Sequence, residues 1–249
     1  MKIIATILVI VLLLCGGALW FLAGGSLNEF VKQQIESQGQ TITGQQVTVK
    51  QVDIQLSKGA GSIFDIVLAN PKGYQNIPAF SLAEMTLDIN LTSLTNKGNE
   101  QPIIIDAIII KQAQAYVELN QAGEANYQKI LETIKAQTSS KPKQQAPQST
   151  DNKEPNIIVK KVILADTQLA LELSALGNKR HETKLSDIEL TDIGGAKGVP
   201  ASQLGAEISK QVLSSIWKKA KKQQKKKLLK KATEQFKDKA KKKLAELFN

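Results

Sequence analysis

The chain is poor in the side chains that build metal and thiol centres. Its 249 residues include one His, one Cys, two Met and two Trp, and aromatic residues make up only 4% of them. A single His and a single Cys are too few for a multi-ligand zinc site, a Cys–His pair with a third partner, or a disulfide within the chain. The sequence also has no glycine-rich phosphate loop and no nucleophile elbow. We therefore expect no cofactor, no metal and no enzymatic activity.

Acidic residues are scarce at one end of the chain only. The whole chain has 33 basic and 23 acidic residues, a net charge of +10. Residues 210–249 hold 15 lysines and three acidic residues, a net charge of +12, which leaves a net charge of −2 for the rest. An anionic partner is therefore expected to meet the C-terminal segment rather than the body of the protein.

Charge is absent from an apolar run near the N-terminus. Residues 3–23 contain no charged side chain, and Lys2 precedes them. As a helix this run would be about 31 Å long, which matches the hydrocarbon core of a bilayer. It predicts a transmembrane anchor over residues 1–25 with a cytoplasmic N-terminus; the alternative is a cleaved signal peptide. The residues predicted to anchor the protein in the membrane include Ile3, Leu8, Leu13, Trp20 and Phe21.

The segment after the anchor is predicted to be rich in β-strands. Residues 26–38 carry apolar side chains at helical spacing, and Gly39 is the predicted end of that helix. Over residues 47–91 the apolar period changes to two, which is typical of antiparallel strands with one face in water. The alternation changes phase near Lys50, which predicts a one-residue bulge there.

The second half of the body alternates strands with a helix and a polar segment. Residues 103–110 are apolar on both faces and predict a central strand. Residues 126–135 predict a short helix. Residues 136–156 contain three Pro and almost no apolar residue, which predicts a disordered linker or long loop. Residues 157–200 resume the strand pattern and are expected to complete the sheet.

Two pairs of segments resemble one another within the chain. Residues 103–119 align without gaps on residues 157–173, at an offset of 54, with six of 17 positions identical. A looser similarity relates residues 80–91 to residues 183–193. These repeats predict strand pairs that stack on their neighbours in an elongated sheet. Together with the alternation typical of antiparallel strands and the predicted helices, they predict an α+β, mainly β fold with an antiparallel-rich sheet.

The last segment, residues 201–249, is predicted to be one long basic amphipathic helix. Leu213, Ile216 and Ala220 form an apolar stripe beside nearly continuous lysines. Such a helix suits an anionic membrane surface, and it equally suits a solvated helix docked on the sheet by its stripe. Nucleic acid is the weaker partner because the segment has no Arg. The residues predicted to contact an anionic membrane are Trp217, Lys218, Lys219, Lys221, Lys222, Lys225, Lys226, Lys227, Lys230 and Lys231.

In this order, the segments resemble the AsmA family of Gram-negative envelope proteins, over most of the chain. The segments that carry the resemblance are GQQVTVKQVDIQL (44–56), GAGSIFDIVLANPKGY (59–74), FSLAEMTLDINLTSL (80–94), PIIIDAIIIKQAQAYVEL (102–119), SDIELTDIGG (186–195) and AKGVPASQLGAEISKQVL (196–213).

The resemblance implies a fold and a function similar to those of bridge-like lipid-transfer proteins. Their twisted sheet curls into a groove whose aliphatic inner face can shield acyl chains. An aliphatic face can equally be an ordinary core covered by helices, and the sequence leaves both arrangements open. The residues expected to face lipid in such a groove are Ile54, Ile66, Leu68, Leu87, Ile89, Val117 and Leu171.

The resulting hypothesis is a non-catalytic protein anchored in the bacterial inner membrane by a single pass, with its body in the periplasm. It would bind or help move phospholipid, or support envelope assembly. The alternatives are an envelope scaffold whose basic tail recruits an acidic partner and, more weakly, a membrane-tethered nucleic-acid binder. The predicted segments are the anchor (1–25), the first β-rich region (26–135), the linker (136–156), the second β-rich region (157–200) and the basic helix (201–249).

Overall fold

A computed structural model describes residues 27–95, 101–139, 155–177 and 179–247, and in the last helix it describes side chains as far as Lys225. The helices of this part are α1 (Leu27–Thr43), α2 (Leu91–Thr95), α3 (Asn126–Ser139) and α4 (Ala201–Leu247). The strands are β1 (Val47–Gln55), β2 (Ala60–Leu68), β3 (Phe80–Ile89), β4 (Ile103–Lys111), β5 (Gln114–Glu118), β6 (Asn156–Leu164), β7 (Gln168–Glu172), β8 (His181–Lys184), β9 (Ile188–Ile193) and β10 (Val199–Pro200).

All ten strands belong to one sheet, and they occupy six positions across it. From Phe80 to Asp88, β3 pairs with β5 and β4 in the same register, so β4 and β5 are two parts of a single long strand; the register shifts only beyond Asp88. In the same way β6 and β7 continue one another beside β4 and β5, and β8 and β9 continue one another beside β7 and β6. At about 4.8 Å per strand spacing the sheet is about 24 Å wide. The predicted combination of helices with one β-sheet, and the long C-terminal helix, are confirmed.

The internal repeat corresponds to neighbouring strands. β4 and β5 run parallel to β6 and β7, with Ile103 opposite Ile157 and Gln114 opposite Gln168, at the same offset of 54 that relates the two sequences. The other strand pairs are antiparallel. Parallel neighbours need a long crossover connection, and residues 119–155, which include α3, supply it. The repeated residues therefore stack beside their equivalents.

The phase change near Lys50 is present, but it is not the predicted one-residue bulge. Val49 pairs with Ile66 and Gln51 pairs with Phe64, so the register is the same on both sides of Lys50. The facing strand changes phase at the same level, where Asp65 has a φ of 50°. The Asp65 carboxylate also lies 3.1 Å from the Lys50 ammonium group. The prediction was wrong because a bulge adds a residue to one strand only, whereas here both strands shift together.

The aliphatic inner face of the sheet is covered by helices. α1 packs along β1, α4 packs on β5, β6 and β7, and α3 contacts both α1 and α4. Side chains from all three helices, among them Ile42, Ile130, Ile134 and Ile216, join the buried core on the inner face. Burying such a side chain fully stabilises the fold by about 1.5–3 kcal/mol. These helices therefore supply the covering layer that the sequence left undecided.

Polar side chains of α1 protect the edge of the sheet. β1 is an edge strand, and an edge strand exposes backbone N–H groups that can pair with another chain. The Val49 N–H donates to Glu36 Oε1 at 2.7 Å, and the Ile54 N–H donates to Asn28 Oδ1 at 3.0 Å. α1 is thus held against β1 by hydrogen bonds as well as by apolar packing.

Gly39 does not end the first helix, contrary to the prediction. α1 continues to Thr43, and Gly44, with a φ of 69°, follows it and donates its N–H to the Gln40 carbonyl at 2.9 Å. Gly39 serves close packing instead, because a Cβ atom there would lie 2.7 Å from Val47 Cγ2. The same absence of a side chain that favours a C-cap also lets the helix approach the strand.

The remaining boundaries differ from the predicted ones by a few residues or cannot be compared. α3 extends to Ser139 rather than near residue 135, and in its last turn the Thr138 hydroxyl donates to the Ile134 carbonyl at 3.0 Å. Residues 140–154 of the predicted linker lie outside the described residues, as does the anchor over residues 1–25. Across the four described ranges, no helix combines the length and the apolar character that a membrane crossing requires.

Replacing Gly39 with Ala is expected to lower the free energy of unfolding by about 1–3 kcal/mol, because the added methyl group overpacks the contact with Val47. Denaturant unfolding of the full chain in detergent measures the change. Gln40→Ala, at the exposed next position of α1, is the control and should leave stability within about 0.5 kcal/mol of the wild type. Val47→Ala should reduce the effect of Gly39→Ala. A Gly39→Ala protein as stable as the Gln40→Ala protein would show that this close approach does not constrain the fold.

Candidate functional site: an aliphatic cavity between two helices

A cavity of about 260 Å³ lies on the inner face of the sheet, with α1 on one side and α4 on the other. From α1 it is lined by Gln34, Ile35, Gln38, Gly39, Ile42 and Thr43. From α4 it is lined by Leu204, Gly205, Ile208, Ser209, Val212 and Leu213. The sheet contributes Val47, Ile63, Ile66, Leu68, Phe80, Leu82, Met85, Leu87, Ile105, Ile108 and Ile110.

Side chains alternate along the strands, and on β4 a register shift opposite Asp88 and Ile89 interrupts the alternation, so that aliphatic residues on both sides of the shift reach the floor of the cavity. On β4 the inner residues Ile105, Ile108 and Ile110 line the cavity. Asp106 and Lys111 project from the opposite face, where they form ion pairs with side chains of neighbouring strands. Strand geometry therefore moves the charged residues of the central strands away from the cavity.

The cavity lining is uncharged. Its side chains with hydrogen-bonding groups are Gln34, Gln38, Thr43 and Ser209, and none of the described residues that line it is Asp, Glu, Lys, Arg or His. The Thr43 hydroxyl is already occupied, since it donates to the Gly39 carbonyl at 2.6 Å. A wall of this composition offers little to water or to an ion, and apolar cavities of about 150 Å³ are known to stay dry and bind small hydrocarbons.

The residues predicted to face lipid divide into two groups. Ile66, Leu68 and Leu87 line the cavity. Ile54 and Ile89 lie outside the lining, although Ile54 packs against the core beside Gly61.

The last two residues predicted to face lipid, Val117 and Leu171, also lie outside the lining. They face one another on β5 and β7 and are 0% and 2% exposed. They belong to the part of the inner face that lies beneath the helices.

Sequence reasoning missed the two helical walls. α4 presents Leu204, Ile208 and Val212 to the cavity at spacings of four, which is a readable apolar stripe. The stripe recognised from the sequence began only at Leu213. Nothing in the sequence shows that α1 and α4, more than 150 residues apart, would stand on either side of one space.

The residues of α4 predicted to contact a membrane have different surroundings. Lys218, Lys221, Lys222 and Lys225 are exposed. Trp217 is half-buried against the core, and the Lys221 ammonium group lies 5.3 Å from the centre of its ring.

Lys219 is bound to the body of the protein. It donates to the Ser186 carbonyl at 2.9 Å and to the Ser186 hydroxyl at 2.5 Å, in the loop between β8 and β9. The side chains of Lys226, Lys227, Lys230 and Lys231 lie outside the described part of the chain, as do the anchor residues Ile3, Leu8, Leu13, Trp20 and Phe21.

The opposite face of the sheet has a second, more polar depression of about 400 Å³ around Tyr116. The Arg180 guanidinium lies 5.5 Å from the Tyr116 ring and forms an ion pair with Glu182 at 2.8 Å, so its charge is already matched. Burial raises the pKa of Tyr116 to about 12, helped by the carboxylates of Glu118 and Glu172 and opposed by Arg180. Within the described part of the chain the Tyr116 hydroxyl has no hydrogen-bond partner.

Comparisons with known proteins give no further identification. No protein-family model matches the chain, and no curated protein matches it. In the described residues there is no group of three or more His, Cys, Asp or Glu side chains placed to hold a metal ion. The aliphatic cavity is therefore the feature on which a functional proposal rests.

Two buried tyrosines are expected to respond differently to the loss of their hydroxyl groups. The Tyr127 hydroxyl donates to the Ala79 carbonyl at 3.0 Å, so Tyr127→Phe should cost about 1 kcal/mol of unfolding free energy at pH 7. Tyr116→Phe should cost nothing measurable, because its hydroxyl donates to no acceptor in the described structure. Denaturant unfolding of both variants measures this. Equal losses of unfolding free energy in the two variants would show that the hydrogen bond of the Tyr127 hydroxyl does not distinguish it from Tyr116.

The raised pKa of Tyr116 also predicts how the stability of the protein changes at alkaline pH. The folded-state pKa of Tyr116 is raised from 10.0 to about 12, so ionisation of this phenol favours the unfolded chain; it leaves stability unchanged below pH 10 and lowers it as the pH rises from 10 to 12. Between pH 9.5 and pH 11.5 the wild type should therefore lose on the order of 1–2 kcal/mol more stability than Tyr116→Phe. Unfolding curves at the two pH values provide the comparison, in which lysine titration affects both proteins alike. An identical loss in both proteins would show that Tyr116 does not titrate in this way.

Proposed function

We propose that this protein is a membrane-anchored, non-catalytic lipid-binding protein that holds an acyl chain in the cavity between α1 and α4. The observation that carries the proposal is the cavity lining, which is aliphatic on the floor and on both walls and contains no charged residue among those described. Hydrocarbon is the ligand class that such a lining accommodates best, since each buried CH₂ group contributes about 0.8 kcal/mol. The resemblance to the AsmA family supports the same reading.

The position of α1 supports a bilayer as the source of the lipid. α1 begins at Leu27, directly after the predicted anchor over residues 1–25. Its first cavity-lining residue, Gln34, lies about 10 Å further along the helix axis. With the anchor in the bacterial inner membrane and the body in the periplasm, the cavity would lie close to the membrane surface. An acyl chain would then travel a short distance between bilayer and cavity.

The exposed lysines of α4 support a second contact with an anionic membrane. The apolar stripe of the helix packs against the body of the protein, where Leu213, Ile216 and Ala220 are buried. Over this part of the helix no apolar face is left to insert into a bilayer, so the contact would be electrostatic. Each lysine near an anionic leaflet contributes up to about 1 kcal/mol, and salt weakens the attraction.

The lipid proposal is tested by filling the cavity. Ser209→Trp places a large side chain on the α4 wall, and Gln203→Trp places the same side chain on the exposed face of the same helix. The full chain is extracted in detergent, and its bound lipid is quantified by mass spectrometry. We expect Ser209→Trp to carry at least five-fold less lipid than Gln203→Trp, whereas lipid held by the anchor should be equal in both.

A second cavity-filling variant, Gly205→Leu, guards against a local folding defect in Ser209→Trp. Circular dichroism and unfolding curves establish that each variant is folded. If both filled variants fold and retain as much lipid as Gln203→Trp, the cavity does not hold an acyl chain and the proposed function is wrong.

The membrane contact of α4 is tested with charge-matched variants. The full chain is held in nanodiscs of neutral lipid, and its capture of anionic and neutral vesicles is measured. Changing the four exposed α4 lysines to Gln should weaken capture of anionic vesicles at least ten-fold, in a salt-dependent manner; these are Lys218, Lys221, Lys222 and Lys225.

The control removes the same charge from exposed positions outside α4, namely Lys58, Lys72, Lys179 and Lys197. It should have a much smaller effect. Equal weakening by both sets would assign the binding to net charge alone. If the wild type captures no anionic vesicles, the α4 surface has a different partner, such as the acidic protein of the scaffold alternative.

A further inference from the structure

One end of the sheet carries the first residues that follow the predicted anchor. α1 runs opposite to β1, so its first turn lies where β1 ends, and there Asn28 Oδ1 accepts a hydrogen bond from the Ile54 N–H at 3.0 Å. The turn between β1 and β2 and the short helix α2 lie at the same end, because the Ile89 N–H donates to the Gly59 carbonyl at 2.7 Å. We call this the α2 end of the sheet, formed by the first turn of α1, the β1–β2 turn (residues 56–59) and α2.

The apolar lining of the cavity continues towards the α2 end. Leu87 lines the cavity, and a Cβ atom at Gly61 would lie 3.6 Å from Leu87 Cδ1 and 2.9 Å from Ile54 Cδ1. A Cβ atom at Gly59 would lie 3.1 Å from Leu91 Cδ2. Leu91 is the one large hydrophobic side chain of the described residues that is exposed, at 42%. Apolar side chains therefore follow the sheet from the cavity to the surface of this end.

The length of chain before α1 indicates what this surface meets. The apolar run predicted to cross the membrane ends at Ala23, and α1 begins at Leu27. Four residue steps span at most about 14 Å when fully extended, so the α2 end lies within that distance of the hydrocarbon core. A single exposed leucine is ordinary on a protein surface, but one that is tethered beside a bilayer has an apolar phase within reach.

We propose that the α2 end is a membrane-docking surface, in which Leu91 inserts among the acyl chains of the anchored bilayer and the sheet stands upright on the membrane. Lys58 of the β1–β2 turn is exposed and would lie at the level of the lipid headgroups. Because the anchor holds this surface beside the bilayer, docking is an intramolecular step, and a small apolar contact is enough to favour one orientation. The inference rests on the membrane anchor of the proposed function and not on the acyl chain in the cavity.

The docking is tested with fluorescent reporters on the full chain in nanodiscs. Cys15 is changed to Ala, and an NBD fluorophore is attached through Lys58→Cys at the α2 end or through Gln121→Cys in the loop after β5. Both positions are exposed, and β4 and β5 extend over about 50 Å between the two ends of the sheet. A phospholipid with a spin label near the top of its acyl chain should quench the Lys58→Cys reporter at least five-fold more strongly than the Gln121→Cys reporter.

Removing the apolar contact should lift the α2 end from the bilayer. Leu91→Glu is expected to reduce quenching of the Lys58→Cys reporter at least two-fold, because a carboxylate is unfavourable among acyl chains. Leu91→Gln, which is polar but uncharged, should act in the same direction and decides the test if Leu91→Glu does not fold. Gln40→Glu adds the same charge at an exposed position about 20 Å further along α1 and should leave quenching unchanged. Circular dichroism establishes that each variant is folded.

Two results would overturn the docking surface while the lipid-binding function stands. One is equal quenching of the two reporters, and the other is quenching of the Lys58→Cys reporter that folded Leu91 variants leave unchanged. A chain that nanodiscs do not retain would overturn the docking surface together with the membrane anchor of the proposed function.

Discussion

The inner face of the sheet must be shielded from water, and this requirement governs the rest of the structure. Side chains on a strand alternate between two faces, so the Ile, Leu and Val residues of six neighbouring strand positions form one continuous aliphatic surface. A surface of that kind needs a second layer. Three helices of the same chain supply it, and between two of them a cavity of about 260 Å³ is left above buried side chains of the sheet. The cavity is the part of the inner face that the helices do not fill.

The two walls of the cavity are held in different ways. α1 is attached to the edge of the sheet by the Glu36 and Asn28 hydrogen bonds and by the close approach of Gly39 to Val47. α4 is attached by its buried apolar stripe and by the contact of Lys219 with the loop between β8 and β9. The wall nearest the predicted anchor is therefore fixed by the sheet edge, and the opposite wall belongs to the helix that carries the lysines.

One helix thus combines two chemistries without conflict. On α4 the residues at spacings of three and four face the sheet and the cavity, while Lys218, Lys221, Lys222 and Lys225 face solvent. The apolar stripe and the lysines are on different sides of the helix, so docking on the sheet leaves the positive surface exposed. Docking on the sheet and contact with a membrane surface are therefore compatible, because the first uses the apolar face of α4 and the second would use its lysine face.

Local patterns in the sequence were sufficient to predict the period-two strands, the long basic helix and the division of charge between body and tail. The sequence also marked the strands that would become neighbours, since the 54-residue offset of the repeat is the register of β4 beside β6. Its local interpretation of Gly39 as a helix end was wrong, because only the position of Val47 reveals why a side chain is excluded there. Of the residues predicted to face lipid, Ile66, Leu68 and Leu87 line the cavity, whereas Val117 and Leu171 lie beneath the helices. Alternation identifies the face of a strand, but only the tertiary packing of helices distant in sequence decides which part of that face is covered and which part is left as a cavity.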